Sequence, residues 1–429
     1  MSHILFVTPY YPPDIGAAMV RISETAKLLV KRGHRVTVLT TVPHYPSGIV
    51  PPAYRGHLLQ REVRDGVGVV RVWSYVSPNK GFLRRILAQF SFACLAPVLG
   101  WKEVDHPDVI IVESPPLFDA IAGRVLAWRK HCPFIFTVAD LWPEAAIQMG
   151  VLRNRVLIRL AQWLEWSTYR RANLVWVVTE WIRDTLIQRG LSPERILLLT
   201  NGVDLTKFRP LPKAQARTEL GWDDRFTALY AGTQGPSQGL TTLLQAAEQL
   251  RDRTDIRIVL VGDGASKADL VAEAQRLDLS NVTFLDPQPH DSMPLLLAGA
   301  DVCLIPVLKT PFHEGVLPFK MFEAMASARA ILLGMDGEAR RVAETEAGAA
   351  VCFEPENAAE LVSAIVYLRE HPEAAELLGQ RGRAFAEARF DRDHLTTMLE
   401  EHIAMLLEKS APASTSAIPR GVKAIAEKS

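Results

Sequence analysis

The segment Gly315-Val-Leu-Pro-Phe-Lys-Met-Phe-Glu-Ala-Met-Ala326 sets a glycine, a cation and a carboxylate in the order a phosphorylated ligand requires. An apolar run from Val302 to Val307 precedes it, and Pro318 followed by good helix formers predicts a helix start. Lys320 falls in the first turn and Glu323 one turn later. The free N–H groups and positive dipole end of a helix attract a phosphate, and a nearby ammonium adds charge. A carboxylate a turn further in can accept hydrogen bonds from vicinal hydroxyls, as on a ribose. Glu314, Gly315, Val316 and Leu317 form the approach to this helix and join the candidate set. An ordinary amphipathic helix with Lys320 and Glu323 on its wet face has the same pattern.

Glycine-rich turns supply further candidates. Thr227–Tyr230 reads as a strand and runs into Gly232-Thr233-Gln234-Gly235-Pro-Ser-Gln238-Gly239 before a helix over Leu240–Leu250. Glycines admit a ligand close to the backbone, and amides at a helix start hold an anion. Gly262-Asp-Gly264 closes the next apolar strand in the same way. Near the amino end, strand Ile4–Thr8 meets a turn containing Gly16 ahead of helix Arg21–Arg32, where a phosphate or sugar could enter from the opposite side. Asp140-Leu-Trp-Pro-Glu144 follows another strand. Acids and an indole there suit sugar binding, although Asp140 would equally cap a turn before Pro143. The eleven histidines are scattered and no metal-ligand spacing stands out, so no metal site is assigned.

Two series of elements must position these loops. Ile4–Thr8, Val36–Thr40, Val109–Val112, Phe134–Val138, Leu174–Val178 and Ile196–Leu199 alternate with helical periodicity. After Pro210–Pro212 the alternation restarts with Thr227–Tyr230, Ile258–Val261, Val282–Leu285, Val302–Ile305, Ala330–Leu333 and Ala350–Phe353. Continuous Val/Ile/Leu runs between helices mark parallel sheets covered on both faces. Such α/β, Rossmann-like doubly wound sheets bind ligands beyond their strands' carboxyl ends, so two of them place their loops across a cleft. The expected division is residues 1–203, residues 204–385, a helix within 386–410 that Asp391 can cap, and a disordered tail over 411–429.

The 429 residues carry 48 basic and 48 acidic side chains, and this zero balance argues against nucleic acid as a partner. Four separated cysteines, Cys94, Cys132, Cys303 and Cys352, suggest buried thiols in a reducing compartment. With Met-Ser-His-Ile-Leu-Phe-Val entering a strand at once, the expectation is a cytoplasmic protein. Residues 82–101 depart from the soluble pattern, being apolar almost all round with Arg84 and Arg85 at their start. They suit a helix lying in the headgroup layer of the inner membrane, or a buried core helix.

Taken in order and spacing, Lys31-Arg-Gly-His-Arg-Val-Thr-Val-Leu-Thr40, Leu199-Thr-Asn-Gly-Val-Asp204, Gly262-Asp-Gly264 and Phe322-Glu-Ala-Met-Ala326 resemble the group-1 (family 4) glycosyltransferases of the GT-B fold. The resemblance spans nearly the whole chain. It implies a nucleotide-sugar donor on the C-terminal domain, an acceptor on the N-terminal one, and a last helix that crosses back to the first domain. It also implies metal-independent transfer, usually with retention of configuration and with no cofactor beyond the donor. Four positions differ from the family pattern: Gly315 stands where the first of two spaced glutamates is usual, Thr233 and Gln238 replace an arginine and a lysine, and Ala139 replaces a histidine. Asp140-Leu-Trp-Pro-Glu144 with Leu317-Pro-x-Lys320-x-x-Glu323 is similar to the branch that builds O-antigen and exopolysaccharide units, including fucosamine transferases.

The reaction this implies is transfer from a UDP-sugar to a lipid-linked saccharide at the cytoplasmic membrane face. In it Glu323 holds the ribose, Lys320 with amides near Gly16 and Gly235–Gly239 steadies the leaving diphosphate, and Asp140 serves the acceptor or the oxocarbenium-like sugar. A catalytically silent homologue acting as a partner subunit is the first alternative, and UDP-sugar epimerisation the second.

Overall fold

The computed structural model describes residues 1–14, 16–45, 48–76, 82–148, 150 and 152–410. The tail expected over 411–429 lies outside them.

Eight strands form the first sheet: β1 His3–Val7, β2 Arg35–Thr41, β3 Leu59–Arg64, β4 Val67–Val72, β5 Val109–Val112, β6 Phe134–Val138, β7 Leu174–Val177 and β8 Ile196–Leu198. Their order is β3-β4-β2-β1-β5-β6-β7-β8, parallel except for the β3–β4 hairpin. Six more form the second sheet: β9 Phe226–Ala231, β10 Ile256–Val261, β11 Val282–Leu285, β12 Val302–Pro306, β13 Ala330–Gly334 and β14 Ala350–Cys352. These run β11-β10-β9-β12-β13-β14, parallel throughout. Both sheets are doubly wound.

Alternate residues explain why the strands read as unbroken apolar runs. Ile4 and Phe6 enter a core with Leu29, Leu399 and Ile403, while Leu5 and Val7 enter one with Phe92, Leu126 and Phe136. The central strand β1 is thus sealed on both sides, as in a parallel sheet between helix layers. The helices of this half are α1 Ala17–Lys31, α2 Phe82–Leu99, α3 Asp119–Lys130, α4 Glu144–Gln148, α5 Arg155–Arg171 and α6 Glu180–Gln188. Helix α1 begins four residues before the predicted Arg21, directly after Gly16.

The hairpin β3–β4 escaped the apolar-run pattern. Leu-Gln-Arg-Glu-Val-Arg alternates with charges, as an edge strand does, and carries no continuous apolar stretch. Its signal was the turn Asp65-Gly66, both with positive φ (53° and 80°), the backbone a two-residue hairpin prefers.

Helix Arg392–Ser410 returns to the first domain, where Leu399, Ile403 and Leu406 pack with Ile4, Phe6 and Leu29. The Asp391 carboxylate accepts from the Asp393 amide at 3.1 Å and caps it. Arg32 and His34 both pair with Glu400, locking the helix to the α1–β2 corner.

Helix α2, expected either in a headgroup layer or in the core, has one face buried and one face outward. Phe92, Ala93 and Ala96 are fully buried, whereas Leu87 (57% exposed), Phe90 (46%) and Val98 (60%) point outward. Cys94 is exposed on the outer side, Cys132 and Cys352 are half-buried and Cys303 is buried, so the expectation of four buried thiols holds at Cys303 alone. On a helix, positions 87, 90, 94 and 98 share a face, and the buried positions lie opposite. The outer stripe is continued by α5, which exposes Val156, Leu160 and Trp163, and by Trp128 of the intervening α3. Among the described residues no helix is long and apolar enough to cross a membrane.

Candidate active site

At the carboxyl ends of β9 and β10 two glycine turns interlock backbone to backbone. A Cβ on Gly262 would lie 2.0 Å from the Gly232 carbonyl oxygen, and one on Gly264 2.4 Å from that of Gln234. Both glycines hold positive φ (136° and 158°), so only glycine meets the space and the backbone together. The Gln234 amide donates to Asp263 O at 2.8 Å, and the Ser266 amide donates back to Gln234 O at 2.9 Å. The Gln234 side chain is fully buried and donates to Gly262 O at 3.3 Å, bracing the turn from within. Gly235 leads into the short turn Pro236–Gln238, and Gly239 (φ 60°) lies against Val307, where a Cβ would meet a backbone carbon at 2.9 Å. Thr233 is exposed.

Lys320 sits beneath this turn. Its Nζ lies 4.0 Å from the centre of the Tyr230 ring and donates to Gln238 Oε1 at 3.2 Å. It stands 3.3 Å from where a Gly232 side chain would begin. The Tyr230 hydroxyl donates to Thr233 O at 2.5 Å and also reaches Gln238 Oε1 at 3.2 Å. Tyr230 therefore floors the loop and seats the lysine through its π face. Desolvation pushes the ammonium down to about 7, with Glu323 opposing. An arriving dianion would restore the full charge.

Helix Phe319–Ala326 starts at Pro318, as its sequence predicts, and no side chain caps it. Glu323 Oε1 faces His290 Nε2 at 2.9 Å. Lys207 Nζ donates to His290 Nδ1 at 2.9 Å and to Asp291 at 2.6 Å. An ammonium can only donate, so Nδ1 is the acceptor and the proton sits on Nε2, aimed at Glu323. The carboxylate is oriented before any hydroxyl reaches it.

The facing domain offers buried charge instead. Asp140 follows β6 and Glu113 follows β5, at strand ends where such sheets bind ligands. Arg21 of α1, itself buried, donates to Glu113 and to Asn201 Oδ1 at 2.5 Å. Burial pushes Glu113 up to about 7 against the pull of Arg21, with Asp140 adding to the rise. Asp140 is pushed up to about 6 by burial, again with Arg21 opposing. Asp119 is fully buried with neither oxygen hydrogen-bonded among the described residues, and burial beside Glu113 holds it well above the usual carboxylate range. Gly16 lies at the amino end of α1, one turn before Arg21, with extended backbone and no side-chain cap on the helix.

One cleft joins the halves. Asp140 lines it with Trp181 and Ile182 from the first domain and Phe312, Gly315 and Val316 from the second. Leu317 is buried and borders a larger interdomain cavity with Thr179, Glu338, Arg341 and Phe390. Glu314 is exposed and lines a separate cleft with Lys309 and Asp336.

Arg21, Glu113, Tyr230 and His290 were not singled out by sequence. Glu113 carried a usable signal, an acid directly after an apolar strand. Arg21 and Tyr230 read as an ordinary helix cation and a core aromatic. Among the described residues no group of acids, histidines or cysteines could hold a metal.

Residues 16–202 match the family model described as a glycosyl transferase 4-like domain, and residues 225–371 the one described as glycosyl transferases group 1. Over 405 residues the chain is 29% identical to WcaI of Escherichia coli (strain K12), named as a colanic acid biosynthesis glycosyl transferase, covering 90% of this chain and 95% of that one. Sucrose-phosphate synthase from Thermosynechococcus elongatus superposes with a TM-score of 0.75 at 18% identity, over 95% of this chain and 100% of that one. Anabaena HepE, solved with UDP-glucose, superposes with a TM-score of 0.70 at 20% identity, over 94% and 100%. At these identities the superpositions carry the fold, and the domain matches carry the family. The chain belongs to the group-1 (family 4) glycosyltransferases, and its two facing Rossmann-like domains form the GT-B fold.

Proposed function

We propose that the protein moves a sugar from a UDP-sugar to a lipid-linked saccharide during cell-surface polysaccharide synthesis. The observation that carries this reading is Lys320 seated on Tyr230 under the interlocked glycine turns, with the pre-oriented Glu323 one turn on. Together they offer a cation and amides to a diphosphate and a carboxylate to a ribose. The similarity to WcaI supports the polysaccharide setting, and the fold shared with UDP-glucose-bound HepE supports the donor class.

In the reaction the bond between the anomeric carbon and the β-phosphate oxygen breaks, and its electron pair stays on UDP. Lys320 and the amides near Gly235–Gly239 and Gly16 stabilise that charge. A single well-placed donor of this kind contributes ~3–4 kcal/mol. The acceptor oxygen bonds to the anomeric carbon, and its proton passes to the departing phosphate on the same face, which retains configuration. Asp140 is positioned beside the cleft to hold the acceptor or steady the positive sugar. The chemistry needs no metal because helix amides and one ammonium meet the diphosphate. Ala139 stands where the resembled family has a histidine, which suits a 6-deoxy or N-acetylamino donor.

The outward stripe of α2 and α5, with Arg84, Arg155 and Arg159 exposed beside it, suits the inner face of an anionic membrane. There the acceptor's lipid would remain in the bilayer.

A thermal-shift screen of UDP and UDP-sugars tests the donor site, with about 2.7 kcal/mol of stabilisation expected at a hundred times Kd. Transfer assays on lipid-linked acceptors in anionic vesicles complete it. Preference for ordinary hexoses would refute the 6-deoxy assignment. The catalytically silent reading is favoured by the missing glutamate at 315. UDP binding without hydrolysis or transfer of any UDP-sugar would establish it.

A further inference from the structure

We propose that Trp181, supplied by the N-terminal domain, is a specificity-determining wall of the donor-sugar site and selects a sugar with a deoxygenated, apolar edge. The proposal rests on the nucleotide-sugar reading above and adds a residue from the opposite domain to it.

Trp181 is the second residue of α6, and its indole lies flat against Gly315. A Cβ at position 315 would come within 2.2 Å of Trp181 Cε3 and 2.5 Å of Cδ2. No side chain at 315 can coexist with this ring. The ring therefore fills the ground that a glutamate at this position would occupy, and the glycine and the tryptophan form a matched pair. The same indole lines the cleft shared by Asp140, Phe312 and Val316. Around that cleft both acids, Asp140 and Glu144, come from the N-terminal domain, while the donor-loop side is aromatic and aliphatic.

Three hydrogen bonds fix the backbone from which the indole projects. Thr179 caps α6 by accepting from the Ile182 amide at 3.2 Å. Glu338, from the C-terminal domain, accepts from the amides of Glu180 at 2.9 Å and Trp181 at 2.6 Å. Gly337, its neighbour, packs so closely on the donor loop that a Cβ would lie 2.2 Å from Glu314 O. The loop at 314–315 is thus sandwiched between Gly337 and Trp181, and Glu338 ties the two sides together. An aromatic face rewards C–H edges and leaves a hydroxyl without a partner, whereas a carboxylate does the reverse.

Calorimetric titration with UDP, UDP-glucose and a UDP-2-acetamido-2,6-dideoxyhexose tests this. The wild-type chain is expected to bind the dideoxy donor at least tenfold tighter than UDP-glucose. Trp181→Ala should bind UDP within twofold of wild type and lose that discrimination, while Trp181→Phe retains most of it. Trp181→Ala combined with Gly315→Glu should invert the preference toward UDP-glucose. Unchanged discrimination in Trp181→Ala overturns the proposal, as does an equal loss of UDP itself, which would mark a residue needed only for folding or closure. A wild-type chain that ignores UDP overturns the nucleotide-sugar reading, and this inference with it.

Discussion

At the ends of β9 and β10 the chain turns on glycines whose backbones touch carbonyl oxygens. At the ends of β5 and β6 it gathers the buried Glu113 and Asp119 and the half-buried Asp140, with Arg21 paired to Glu113. The first arrangement is made of shape. Remove a glycine and two loops can no longer approach, whatever the pH. The second is made of charge, and its character changes with each proton gained or lost. A transferase that must hold one invariant group, a diphosphate, while handling a reacting sugar and acceptor gains from this division. On the function proposed above, the rigid half fixes the leaving group and the titratable half meets the chemistry.

The sharpest way to break this contrast is to give the rigid half a side chain. Gly262→Ala forces a Cβ against Gly232 O at φ 136° and should weaken UDP binding at least thirtyfold in titration calorimetry. Gly190→Ala is the control, since nothing lies within 4 Å at its φ of 95°. It should cost about 1 kcal/mol of stability and leave UDP affinity unchanged.

Next in size is Lys320, the cation seated on Tyr230 in the rigid half. Lys320→Ala should lower turnover at least tenfold, and near-normal rates would remove it from the mechanism. Because the free ammonium titrates at about 7 and a bound diphosphate raises it, binding takes up a proton above that pH. UDP affinity should therefore fall as pH rises from 7 towards the ordinary lysine range. In Lys320→Met, titrations from pH 6.5 to 9 should show a flatter profile.

The smallest effect belongs to the charged half. Glu113 and Asp140 sit above their unfolded values, at about 7 and about 6, so folding binds protons between roughly pH 4 and those points. Their contribution is complete in acid and lost as pH rises through 6 to 7. Urea unfolding at pH 5 and pH 8 should show Glu113→Gln gaining stability relative to wild type at the higher pH, by about 1–3 kcal/mol. No difference between the two pH values would mean that Arg21 fully neutralises the carboxylate.

What could be read in advance divides along the same line. The parallel strands, the glycine turns, Pro318 at a helix start and Lys320 with Glu323 are local patterns, written within about ten residues of one another. Side-chain partnerships made by the fold are not. Arg21 meets Glu113 across 92 positions, His290 meets Glu323 across 33, and Glu338 reaches the Trp181 amide across 157. Apart from Glu113, which directly follows an apolar strand, nothing in the local sequence distinguishes these residues from surface charges or core aromatics. The β3–β4 hairpin was missed for another reason, since an edge strand is half polar and only its Asp65-Gly66 turn announces it. Cys94 shows the limit of composition, because a thiol on a two-faced helix is buried or exposed according to a single turn of that helix.

The returning helix Arg392–Ser410 has a consequence for synthesis. Leu399, Ile403 and Leu406 complete a core otherwise built from the first two hundred residues. On the ribosome those early residues emerge first, yet their hydrophobic face stays uncovered until residues 392–410 have also been made. The half translated in between can finish folding first, leaving its elder neighbour to wait for a lid made after both.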